Sequence, residues 1–97
     1  MLDPISKPAT IAAGATEVIT LTADARRLHT NIAVTSGTAG TLTFKTKLVN
    51  GQLETPSGTA SIDIATRKHI LFNGAALEAI EVTNGGASPV TINITQV

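Results

Sequence analysis

Thr41-Leu42-Thr43-Phe44-Lys45-Thr46-Lys47-Leu48-Val49-Asn50-Gly51-Gln52-Leu53-Glu54 is the stretch that decides the fold. Leucine and phenylalanine alternate with threonine and lysine as far as an Asn-Gly pair. Successive side chains of a strand point to opposite faces, so this alternation describes a strand with one buried side. Asn-Gly is favoured where both residues of a two-residue hairpin loop take positive φ. Such a loop predicts Val49 opposite Gln52, Leu48 opposite Leu53, and Lys47 opposite Glu54. The leucines then share one face and the opposite charges share the other.

Working outward toward the N-terminus, Leu28, Thr30, Ile32 and Val34 alternate with His29, Asn31, Ala33 and Thr35. Thr16 to Thr22 reads as a strand with apolar groups on both faces, and Thr10-Ile11-Ala12 as a short first strand closed by Gly14. Met1 to Pro8 contains Pro4 and Pro8 and no alternation. Proline cannot donate to a ladder, which predicts an extended arm or edge segment over 1–8, ahead of a domain spanning 9–97.

On the C-terminal side, Pro56-Ser57-Gly58 turns the chain, and alternation resumes over Ser61 to Ala65. After the polar break Thr66-Arg67-Lys68, His69 to Phe72 forms a strand ended by Asn73-Gly74. Ala75 to Glu78 are good helix formers, but Ile80, Val82 and Thr83 favour extended backbone. A loop or single turn followed by a strand from Glu78 to Thr83 is predicted there. Asn84-Gly85-Gly86 turns again, and Val90, Ile92 and Ile94 alternate with Thr91, Asn93 and Thr95.

The sum is about eight short strands at regular spacing, the signature of a sandwich or barrel. Composition agrees: Thr, Ile and Val supply 32 of the 97 residues, and branching at Cβ disfavours helix. The prediction is an all-β fold, a single compact antiparallel β-sandwich or jelly-roll-like domain, since each strand must bury its apolar face against another layer. With 42% hydrophobic and 14% charged residues the chain is not a disordered tail. Its core is small, so self-association or docking on a larger assembly would add useful burial.

Several chemistries find no support. Formal net charge is +0, whereas a nucleic-acid binder normally shows a basic excess. Cysteine is absent, which removes disulfides, thiolate metal ligands and a thiol nucleophile. His29 and His69 match no zinc or calcium spacing and read as surface or packing residues. Glu78 and Glu81 fall on opposite faces of a strand, against paired acid–base catalysis. Gly37 to Gly40 and Gly85-Gly86 are turn glycines, too isolated for a phosphate loop. Phe44 and Phe72 are the only aromatics, too few for a sugar- or base-stacking platform. Asn93-Ile94-Thr95 fits a glycosylation sequon, but no secretory signal accompanies it at Met1-Leu2-Asp3-Pro4. No apolar run approaches the roughly 20 residues of a membrane span. The expectation is a non-enzymatic protein made in a cytoplasm, with no catalytic, cofactor or metal residues and no nucleic-acid or membrane partner.

A resemblance adds to this reading. Thr10-Ile11-Ala12-Ala13-Gly14-Ala15-Thr16, Val18 to Thr22, Gly37 to Lys45, Leu77 to Thr83 and Val90 to Thr95 together resemble the small Thr- and Ala-rich β-sandwich proteins of tailed-bacteriophage virions. That family has no catalytic set. The resemblance implies a virion structural protein, foremost a capsid decoration (cement) protein that binds the assembled head and stabilises contacts between capsomers. Its partners would be the major capsid protein, copies of itself, or both. A neck, tail or fibre adaptor, or a module recognising a host glycan or protein, is the alternative. Ile5, Lys7 and Pro8 on the N-terminal segment, with Arg26 and Arg27, are the candidate partner contacts; the basic pair Arg67-Lys68 reads as a solvated face.

Overall fold

The computed structural model describes residues 3–54 and 61–97. Among these the elements are all strands: β1 (Ile5–Ile11), β2 (Thr16–Thr20), β3 (His29–Ser36), β4 (Thr41–Leu48), β5 (Leu53–Glu54), β6 (Ser61–Asp63), β7 (His69–Asn73), β8 (Leu77–Asn84) and β9 (Val90–Gln96). The turn expected at Pro56-Ser57-Gly58 lies outside the described residues. β5 and β6 both pair with β4, as two pieces of its return strand.

The pairings are nested. β4 meets β5 and β6, β3 meets β7, β2 meets β8, and β1 meets β9, all antiparallel, with midpoints within two residues of Asn50. The chain is thus one long hairpin whose tip is the Asn50 turn. Rolling it brings β3 beside β9 and β4 beside β8. The result is a four-stranded sheet, β1-β9-β3-β7, facing the sheet β2-β8-β4-β5, with β6 also on β4. This is a jelly roll, the double-sheet arrangement that leaves few edges.

The tip itself departs from the expected register. Thr46 faces Glu54 and Lys47 faces Leu53, one residue out of step with a two-residue loop. Gly51 N–H donates to Leu48 O (2.8 Å), and Asn50, in the third position of that turn, holds φ at 64°. Only one residue is left-handed, the pattern of a type II turn. The cause lies in the neighbouring strand. β8 has a bulge at Glu78, since Lys47 pairs with Ala79 and Leu48 with Leu77, and Val49 N–H donates to Ala76 O (3.1 Å), so β8 decides where β4 ends. Leu48 and Leu53 consequently do not share a buried face, and both remain exposed. Lys47 Nζ pairs with Glu78 Oε2 at 2.7 Å rather than with Glu54.

At the N-terminus, of the two forms expected for 1–8, residues 5–8 take the edge segment: β1 starts at Ile5 and continues through Pro8 into Ile11. Hydrogen bonds in both directions between His29 and Val97 set the alternation in β9. The backbone groups of residues 90, 92, 94 and 96 then face β1, opposite residues 11, 9, 7 and 5. Pro8 therefore turns its nitrogen away from the ladder, and no bond is lost.

Between the sheets lie Ile11, Ile32, Leu42, Phe44, Ile64, Ile80, Val82, Val90, Ile92 and Ile94, all fully buried or nearly so. Each such side chain contributes about 1.5–3 kcal/mol relative to exposure. Phe44 of one sheet meets Phe72 of the other edge-on, ring centroids 6.0 Å apart.

Two buried carboxamides tie the layers at their ends. Asn84, at the end of β8, donates from Nδ2 to Ile11 O (3.0 Å) and Ser88 O (2.9 Å), and its Oδ1 accepts from Gly86 N–H (2.9 Å). Gln96, at the end of β9, accepts from Thr22 N–H (3.0 Å) and donates to Thr22 O (3.2 Å). Next to Asn84, Gly40 adopts φ of 116°, and a Cβ there would stand 2.9 Å from the Cα of Gly86. Only glycine satisfies both conditions.

Replacing Asn84 by alanine orphans two carbonyls and one N–H in a dry environment, and is expected to cost about 2–4 kcal/mol. Gly40→Ala, strained in φ and clashing with backbone, is expected to cost about 1–3 kcal/mol. Urea unfolding midpoints, compared at constant slope, measure both. Wild-type stability for Asn84→Ala would show that the amide does not bridge the sheets.

Candidate contact surface

The five residues singled out in the sequence do not form one patch. Ile5 pairs with Gln96, and Lys7 reaches across the open side of the sandwich to donate from Nζ to Thr20 O (2.9 Å). Arg27 is buried, only 7% exposed. Its Nη1 donates to Asp3 O (2.6 Å) and Gln96 O (3.2 Å), pinning Asp3 to the end of β9. Arg26 projects to solvent and chelates Asp24, with Nε 3.1 Å from Oδ1 and Nη2 3.1 Å from Oδ2. Those side-chain bonds, with the Arg26 backbone N–H on Oδ1, hold the Asp24 carboxyl below the usual carboxylate range. Ile5, Lys7 and Arg27 therefore gather around Gln96, Arg26 stands beside them, and Pro8 faces the other way, opposite Asn93. Arg27 is an internal strut of this corner.

A larger feature was hidden in the alternation. Along β1, β9, β3 and β7 the inward positions carry the core, and the outward ones form a face of their own. β1 contributes Ser6, Pro8 and Thr10, and β9 contributes Thr91, Asn93 and Thr95. β3 adds His29, Asn31 and Ala33, and β7 adds His69, Leu71 and Asn73. No lysine, arginine, aspartate or glutamate stands at any of these positions.

Short polar groups on this face are already rigidified by rungs across the strands. The hydroxyls of Ser6 and Thr95 are 3.1 Å apart, and those of Thr10 and Thr91 are 3.0 Å apart. His29 Nδ1 lies 2.7 Å from Asn73 Oδ1. In the middle, Asn31 Oδ1 is buried without a hydrogen-bond partner among the described residues. The opposite face differs. There β4 and β8 set Lys45 against Glu81, with the Lys47–Glu78 pair near their ends.

Chemically, the charge-free face can make contact without stripping water from ions. Hydroxyls and carboxamides both donate and accept, and short side chains lose little rotamer freedom when covered. Sequence reading missed it because the absence of charge becomes a surface only when four distant strands are known to be neighbours. Among the described residues no group of three or more His, Cys, Asp or Glu side chains is placed to hold a metal ion.

No family model matches the chain, and no curated protein matches it. Solved structures do share its fold. The SPBc2 prophage-derived protein YomS aligns with 99% of this chain and 96% of its own, at a TM-score of 0.63 and 17% identity. The Yersinia pseudotuberculosis-derived mitogen aligns over 100% and 86%, at 0.59 and 12%. The Cupin_2 domain of an XRE family transcriptional regulator from Enterobacter cloacae aligns over 96% and 94%, at 0.51 and 17%. Proteins with such different names share an architecture, and at these identities the likeness is one of fold.

Proposed function

We propose that this chain is a non-enzymatic structural protein of a tailed-phage virion, working as a capsid decoration protein. In this reading it seats its charge-free sheet face on the assembled head and stabilises contacts between capsomers. Its partner is the major capsid protein. The observation that carries the reading is that face: broad, rigidified by its own hydroxyl rungs, and without an ion at the outward positions of its four strands. Charges buried in an interface need exact counter-charges or cost several kcal/mol, whereas a neutral polar face tolerates a neutral polar partner. Support also comes from the cancelled net charge, which gives no basic surplus for nucleic acid. The fold shared with a prophage-derived protein is compatible with a phage origin.

The test uses heads from a phage that encodes the chain, prepared from a deletion strain. Purified wild-type chain is expected to co-sediment with them. Asn93→Lys places an ion at the centre of the face and is expected to weaken binding about tenfold or more. Lys45→Thr, on the opposite face, is expected to bind as wild type. A chain that stays in the supernatant, or an Asn93→Lys variant that binds normally, would overturn the proposal. Binding to tails but not heads would shift it to the neck-or-tail role.

A further inference from the structure

Every sheet edge is a template for another chain, and stable proteins block it with charge, proline, bulges or brevity. Most edges here are blocked. β1 carries Lys7 and an outward-facing Pro8, the end of β2 is capped at Thr20 O by the Lys7 amine, and β5 and β6 are only 2 and 3 residues long. β7, His69-Ile70-Leu71-Phe72-Asn73, has none of these devices, and its ladder with β3 is free of register shifts.

The outward groups of β7 follow from its hydrogen bonds. Val34 N–H donates to Lys68 O (2.7 Å) and Gly74 N–H donates to Leu28 O (2.8 Å). Bonding to β3 therefore falls on the even-numbered residues, and the N–H and C=O groups of His69, Leu71 and Asn73 point out of the sheet. No described residue pairs with them. Leu71, at the centre, is 48% exposed.

We infer that β7 is the seam of a two-fold dimer, in which β7 of a second copy of this chain pairs antiparallel about Leu71. This centre is dictated by the edge. It lets each Leu71 N–H donate to the Leu71 carbonyl of the other copy and sets His69 opposite Asn73 at both ends. All outward groups of the strand are then satisfied, about six hydrogen bonds in the alternating pattern of an antiparallel ladder. The two exposed leucines cover one another, and no like charges meet. Beside β7 the sandwich opens into a cleft of about 510 Å3, lined by Arg67 from the β6–β7 turn and by Glu54 of β5. The charge-free faces of the two four-stranded sheets become one continuous surface. The dimer does not depend on the virion reading, and either can fail alone.

Sedimentation of the whole chain over a wide concentration range tests the dimer, with hydrogen exchange locating it. Wild type is expected to dimerise, with slow exchange at the His69, Leu71 and Asn73 amides that becomes fast on dilution. Leu71→Lys is expected to raise the dissociation constant at least about tenfold. Leu71→Pro removes one outward N–H without touching the β3 ladder, and is expected to do the same. Circular dichroism checks that each variant is folded, and exchange in the wild type decides if neither is. Monomeric wild type at the highest concentration, or a dimer that survives Leu71→Lys, would overturn the inference. So would slow exchange of the three amides in a monomer, because the chain itself would then cover the edge.

Discussion

Asn84 and Gln96 hold the two sheets of this jelly roll against each other, each binding main-chain groups that belong to the opposite layer. The rest of the core is mainly apolar, and apolar packing alone sets a distance between sheets more firmly than a position. A buried carboxamide is different, because it is satisfied in one alignment and costly in others. Asn84 fixes the end where Ile11, Gly86 and Ser88 converge, and Gln96 fixes the end where Thr22 passes. With both satisfied, the strands cannot slide without orphaning polar groups at one end or the other.

Those two anchors explain how the surroundings are built. Around Asn84 the turns come so close that Gly40 and Gly86 touch through backbone. Around Gln96, Arg27 uses its guanidinium on Asp3 O and Gln96 O, so Asp3 is held to the last strand. Polar chemistry is thereby concentrated at the ends and charge on the five-stranded side. The outer face of the four-stranded sheet is left with neutral and mostly short groups.

Much of this was legible in the residues. The alternation of Ile, Val and Leu with Thr gave the strands, and the Asn50-Gly51 pair marked the tip about which the pairings β1–β9, β2–β8, β3–β7 and β4–β5 are nested. The register at that tip was not legible, because β8 pairing and the bulge at Glu78 move the start of the turn. Arg27 looked like a surface cation since nothing local reveals that Asp3 and Gln96 carbonyls converge on it. The neutral face was present as gaps in four separated segments, but which segments lie side by side is a tertiary fact. Asn84 read as a turn residue, and its place between the sheets depends on Ile11, 73 residues away.

The reading of this chain as a part of the phage head is tested most directly by counting it in purified particles. Quantitative mass spectrometry of intact virions, scaled to the major capsid protein, gives the number without labels or variants. A copy number in simple integer ratio to the capsid protein is expected of a chain that decorates every equivalent site on the shell. A handful of copies would place it at the neck or tail instead, and its absence from the particle would contradict a structural role in the virion altogether.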